Sequence, residues 1–162
     1  MREFASTKYR LKSAPLWQKR LYTACLGFML LGLVTSAAFG WTKTGLSAQA
    51  IADYYRGNPK QMKFEKTAQE LLEVTHFHAF TMPIVLLVLG HLFFLSDWPA
   101  GLKRLVIVVA AVAALLSVLT PWAIRYLHPA WAYVKWAAGY ALGASMLCLI
   151  MVPIQEMWFH GE

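Results

Sequence analysis

Histidines are the residues in this sequence with the chemistry to build a site. His76 and His78 stand in Glu73-Val-Thr-His76-Phe-His78-Ala-Phe, His91 follows in the same apolar stretch, and His128 lies in Tyr126-Leu-His-Pro-Ala. An imidazole can hold a metal or haem iron through its free ring nitrogen, and it titrates close enough to neutrality to pass a proton. Ionisable groups are expensive inside a bilayer, so a histidine within an apolar span is by default a site candidate. On an ideal helix His76 and His91 lie fifteen residues, or about 22 Å, apart with a residual rotation of about 60°. His78 and His91 are about 20 Å apart on less similar faces, and a kink at Pro83 would rotate either pair.

Other metal chemistry has less behind it. Glu73-x-x-His76 is the local pattern of di-iron carboxylate bundles, which need two such motifs and further glutamates, and one is present. Zinc or copper could use His76, His78 and His128, yet an H-x-H pair points to nearly opposite faces of a helix. No nucleophile elbow, H-E-x-x-H motif, Walker loop or dinucleotide-binding glycine fingerprint occurs, so an autonomous hydrolase or nucleotide enzyme has no support.

The elements that must position these residues follow from composition. Of 162 residues 59% are hydrophobic and 14% charged, too few charges for an ordinary soluble domain. Four stretches, 21–42, 74–96, 105–124 and 136–155, contain no Asp, Glu, Lys or Arg. Each is long enough to cross a bilayer as a helix, which predicts an all-α, integral membrane four-helix bundle in one domain spanning 1–162. In the extramembrane loop 43–73, Ser47 to Arg56 followed by Gly57 reads as a short amphipathic helix with an N-cap and a glycine stop. Thr67-x-x-Glu70 matches a capping box, so the second long helix should begin before its apolar span and protrude from the membrane.

The net charge of +7 comes from basic residues flanking the spans, without a nucleic-acid motif. Arg2, Lys8, Arg10, Lys12, Lys19 and Arg20 abut the first span, which favours both termini on the cytoplasmic side of a bacterial inner membrane. Trp17, Trp98 and Trp158 mark one interface and Trp41, Trp131 and Trp136 the other. Cys25 and Cys148 lie inside apolar segments and read as two buried thiols without a disulfide.

Two histidines about fourteen residues apart on one transmembrane helix resemble the helices that hold stacked haems in dihaem cytochrome b subunits. The resemblance covers residues 70 to 96, and the second histidine pair of that family has no counterpart here. As a small four-helix chain with membrane histidines, the protein also resembles the cytochrome b anchors of formate dehydrogenases and nickel–iron hydrogenases, in architecture only. The resemblance implies one or two b-type haems with iron held by residues among His76, His78, His91 and His128, a quinone as possible second cofactor, and other redox-complex subunits as partners beside membrane lipid.

Further expectations fill in that picture. Arg125 and Lys135, with Arg56, are candidates for pairing with haem propionates. Met29 and Met146 fall near the depth of His91 and could complete an axial pair, as could a histidine from a partner subunit. His160 is too distant, because 29 helical residues from Trp131 extend about 43 Å against a ~30 Å core. The functional expectation is therefore a membrane electron-transfer subunit linking a quinone pool to a redox partner. Its alternatives are a non-enzymatic anchor or assembly subunit with structural histidines, and a small proton-linked transporter.

Overall fold

A computed structural model describes residues 10–159 as an all-α fold with four helices long and apolar enough to cross a membrane. Pro15 precedes α1 (Leu16–Thr44), which ends where Gly45 turns to φ +70°. The short helix α2 (Ala48–Arg56) is where the loop sequence puts it, with the Ser47 side chain accepting from the Ala50 N–H. Gly57 ends it at φ +81° in a tight loop, where a Cβ would stand 2.8 Å from the Glu65 nitrogen, so only glycine fits.

The capping box of α3 (Ala68–Phe94) forms in full. Thr67 accepts from the Glu70 N–H at 3.2 Å while the Glu70 carboxylate accepts from the Thr67 N–H at 2.8 Å. The helix consequently starts six residues before the uncharged stretch. His160 and the basic residues Arg2 and Lys8 lie outside the described residues.

Pro121 dictates the end of α4 (Ala100–Trp122). Lacking an N–H, it leaves the Ser117 carbonyl without its helical partner, and the chain relaxes into a π-helical turn over Ala123–Leu127. The orphaned Ser117 oxygen accepts instead from Lys135 Nζ at 3.0 Å, reached from the first turn of α5 (Trp131–Trp158). Arg56, at the end of α2, caps the same broken end by donating to the Ile124 oxygen at 3.0 Å. The open helix end thus draws α2 down onto the π-helical turn and α5, burying Ile51 and Ala52 against Ile124 and Ala132.

α5 is the hub, packed against every other helix, with α4 its closest neighbour. The core gathers Leu26 of α1, Leu89 and Phe93 of α3 and Leu149 and Ile150 of α5, all close to fully buried. α1 is the least embedded span, with 6% of its most apolar window buried against 39% for α5. Two tryptophans of α5 tie it at both ends, Trp136 Nε1 donating to the Leu46 oxygen and Trp158 Nε1 to Thr23 Oγ1, each at 2.8 Å. Interfacial tryptophans do this well because the ring stays apolar while the N–H finds an acceptor. Cys25 and Cys148 are free, half-buried thiols.

Candidate functional site

The histidines of α3 divide between its two faces, as the helical period requires. Glu73, His76, Phe80, Leu87 and His91 are all exposed and recur at three- and four-residue steps, forming one stripe that faces away from the bundle. Leu71, Leu89 and Phe93, on the other side of the helix, are buried. His76 stacks edge-on against Phe80 with ring centroids 5.1 Å apart, one turn along the stripe. Neither His76 nor His91 has a hydrogen-bond partner among the described residues.

His78 is turned away from this stripe and is half-buried. Its Nδ1 lies 2.8 Å from the Val74 carbonyl, an acceptor, so Nδ1 carries the proton and Nε2 keeps its lone pair. That is the arrangement a metal-binding imidazole uses, with the far nitrogen fixed by a carbonyl. His128 has the reverse arrangement. Its Nδ1 accepts from the Ala130 N–H at 3.1 Å, which leaves the proton on Nε2 and the coordinating lone pair already engaged.

The cations expected beside a cofactor have other work in this fold. Arg125 donates through Nε to the Lys66 oxygen at 3.0 Å, pairs with Glu65 at 2.6 Å and stacks over Tyr126. With Lys66, it clamps the loop ahead of α3 to the π-helical turn. The Lys66 ammonium, bonded to Glu70, is held above its ordinary pKa. Burial, with Tyr54 alongside, pushes the neighbouring Tyr55 phenol up. Lys135, besides filling the carbonyl that Pro121 orphans, lies over the Tyr55 ring at 6.0 Å.

Two expected ligands are placed differently from the expectation. Met146 is buried and Met29 packs against the same core cluster, which contains Leu89 and Phe93 of the inward face of α3. His91 points to the opposite side, so shared depth does not bring either thioether in front of it. The grouping of His76, His78 and His128 as a zinc or copper site also fails. Among the described residues no three His, Cys, Asp or Glu side chains come together to hold a metal. The H-x-H pair is split by the helix, and the carboxylate and imidazole of Glu73-x-x-His76 stand on the outward stripe.

The imidazoles of His76 and His91 would be open to a group on the outward face of α3, and neither belongs to a metal-holding cluster among the described residues.

Sequence reasoning missed the tightest polar site. Glu156, near the end of α5, is buried at 8% exposure, and both its oxygens accept from the Asp97 N–H, at 2.7 and 3.0 Å. Asp97 in turn pairs with Lys12 at 3.2 Å and Arg10 at 3.5 Å, while Lys103 Nζ caps the Phe94 and Ser96 oxygens. The hydrogen bond from Lys12, helped by Arg10, holds the Asp97 carboxyl below its ordinary pKa. The signal was a lone carboxylate one residue beyond an uncharged span. This cluster locks the turn between α3 and α4 to α5.

Residues 45–162 match the family model Aq_1264_TM, a transmembrane helical domain. The chain belongs to that family. The match runs from Gly45, just after α1, through α5, so it takes in α3 and all the candidate histidines that the structure describes. It leaves out the whole of α1, the span least embedded in the rest. No curated protein and no solved structure matches the chain. The protein is an integral membrane protein of four apolar helices in contact with lipid.

Proposed function

We propose that this transmembrane domain is an electron-transfer subunit of an inner-membrane oxidoreductase complex, carrying b-type haem on the outward face of α3. The observation that carries the reading is the stripe on which His76 and His91 stand, about 22 Å apart along one helix, exposed and without a hydrogen-bond partner among the described residues. A polar ring facing lipid is costly, so two on one stripe point to something that covers and uses them. His76 and His91 would each offer a ring nitrogen to an iron, with His78 as a second candidate at the outer depth. Bound haem would supply one-electron transfer, and the chain would fix its ligands, its depth and its low-dielectric surroundings. Glu73, exposed and bonded to Gln69 at 3.1 Å, would take a proton from a quinol at the outer interface. The basic residues before α1 put both termini in the cytoplasm on this reading.

The test is a reduced-minus-oxidised spectrum and pyridine haemochrome assay on the gently purified complex, repeated with His91→Ala and His76→Ala. Each substitution should lower haem per inserted chain by about half if two haems are bound. Stoichiometric material with no haem b signal would sink the proposal.

A second reading is a non-enzymatic anchor or assembly subunit. The observation favouring it is the large apolar surface that α1 and α3 leave uncovered, with Phe28 76% exposed and Leu87 73%. Under that reading the chain co-purifies with cofactor-bearing subunits while pigment never follows it, and His91→Ala leaves every spectrum unchanged.

A further inference from the structure

The loop between α2 and α3 is tightly built. Asn58 donates through Nδ2 to Asp53 at 2.9 Å and accepts from the Lys60 N–H at 3.1 Å, while its backbone pairs with that of Lys63 in both directions, at 2.9 and 3.1 Å. These bonds close a turn over Pro59–Gln61 and hold Met62 at φ +53°. The turn presents Lys60, Gln61, Met62, Lys63 and Phe64 as one unbroken exposed run, with Phe64 92% and Met62 87% exposed. The acidic groups nearby are already engaged, Asp53 by Gln49 and Asn58, Glu65 by Arg125 and Glu70 by Lys66. The ammonium groups of Lys60 and Lys63 have no partner among the described residues.

The depth of this run follows from the cations that flank the spans. Arg125 and Lys135 are the first charges beyond the uncharged stretches 105–124 and 136–155. Arg125 binds Glu65 and the Lys66 oxygen, Lys135 lies over the Tyr55 ring, and the Lys66 N–H donates to the Tyr55 oxygen at 3.0 Å. Both ends of the loop are therefore held within one side chain of the hydrocarbon edge. Counting along α3 gives the same level, since Ala68 stands four residues, or about 6 Å, above the exposed, apolar Leu72. The headgroup layer is roughly 5 to 8 Å thick on each side of a bilayer. This sets Phe64, one residue from Glu65, in that layer with no protein surface over it, and Met62 follows within about 11 Å of chain. α2 does not supply the apolar contact at this level, because its Ile51 and Ala52 are buried against Ile124 and Ala132.

We propose that Lys60–Phe64 is a binding site for anionic phospholipid, with Phe64 and Met62 set at the boundary between headgroups and acyl chains and Lys60 and Lys63 pairing with headgroup phosphates. An aromatic ring and a thioether favour that boundary over water, and a lysine keeps its methylenes beside apolar groups while its ammonium reaches phosphate. The loop thereby pins the α2 end of the bundle in the interface and gathers negatively charged lipid beside the start of α3. Nothing in this site depends on haem.

The experiment uses the full chain in vesicles, with Cys25→Ala and Cys148→Ala as background and Phe64→Cys carrying a bimane ring in place of the phenyl. Quenching is read with phosphatidylcholine or phosphatidylglycerol brominated on the upper acyl carbons, each titrated into unbrominated phosphatidylcholine, and with aqueous iodide on both sides of the membrane. Brominated lipid should quench the label, and iodide should reach it poorly. Attraction to a negative headgroup raises local lipid about fivefold for each lysine. Half-maximal quenching should therefore need at least about fivefold less brominated phosphatidylglycerol than brominated phosphatidylcholine, and Lys60→Gln with Lys63→Gln should abolish that difference with the chain still inserted. Quenching by iodide without quenching by either lipid would put the tip in water, free for a water-soluble partner protein, and would overturn the proposal. Equal titrations with the two lipids, or a preference that survives the loss of both lysines, would overturn it as well.

Discussion

The two faces of α3 are built from one stretch of sequence and live in different worlds. The inward face buries Leu71, Leu89 and Phe93 and satisfies Thr75 with the indole N–H of Trp122 at 2.8 Å. The outward face exposes as many large side chains and adds two imidazoles without hydrogen-bond partners among the described residues. Hydropathy does not separate the faces, because lipid tails are as apolar as a leucine core. Close packing, hydrogen bonds and van der Waals contact distinguish them. On the proposed reading, the imidazoles on the lipid-facing side serve something outside the bundle.

The sharpest way to break this comparison is to truncate one large side chain on each face. Phe93→Ala should cost about 2 kcal/mol or more in unfolding of the detergent-solubilised protein, since the cavity remains even though the transfer from water does not enter. Leu87→Ala, at 73% exposure, should change stability by less than about 0.5 kcal/mol. Equal losses from the two would mean that the outward stripe is packed in the isolated chain.

Smaller effects sharpen the contrast. Trp122→Phe removes the donor for Thr75 while keeping an aromatic ring against Tyr126, and should cost about 1 kcal/mol by denaturant titration. Thr67→Ala removes half of the capping box that serves both faces equally. It should destabilise by about 1 kcal/mol and raise amide exchange in the first turn of α3 without touching haem content.

At the other end of α3 the sign of the pH effect follows from Asp97. Its pKa is depressed in the folded protein, so its pairing with Lys12 and Arg10 stabilises above the ordinary value of 3.8 and is lost as the pH falls through the depressed one. Proteolytic accessibility near Lys12 should therefore rise in that acid range and not between pH 5 and 8. His91→Ala should leave the stability of the isolated chain within about 0.5 kcal/mol of wild type, an effect as small as that of Leu87→Ala. A large loss of stability there would mean that the imidazole serves the fold, and would favour the anchor reading.

Helices α1, α3, α4 and α5 were legible because an uncharged run of twenty or more residues has one stable form in a bilayer, where each backbone polar group must be paired within its own segment. The Ser47 cap, Gly57 and the Thr67–Glu70 box were legible for a similar reason, as local hydrogen bonds between residues three apart. The candidate site was legible only in part. The period of the helix forecast that His76 and His91 share a face and that His78 does not.

Which face that would be depended on the tertiary packing. α3 is apolar all round, and a helix of that kind carries no moment to tell lipid from neighbour. The roles of Lys135 and Arg125 were hidden too, since a lysine that fills the carbonyl orphaned by Pro121, or an arginine that ties Glu65 and the Lys66 oxygen to a π-helical turn, meets partners 18 and about 60 residues away. Glu156 belongs to the same class, 59 residues from the N–H it accepts. The sequence by itself determined an all-α membrane domain, its four spans and the spacing of its histidines, because those follow from local hydrogen bonding and from the cost of charge in lipid. Only the tertiary structure decided that the histidine stripe looks outward and that the basic residues close broken helix ends, because both depend on which surfaces pack together.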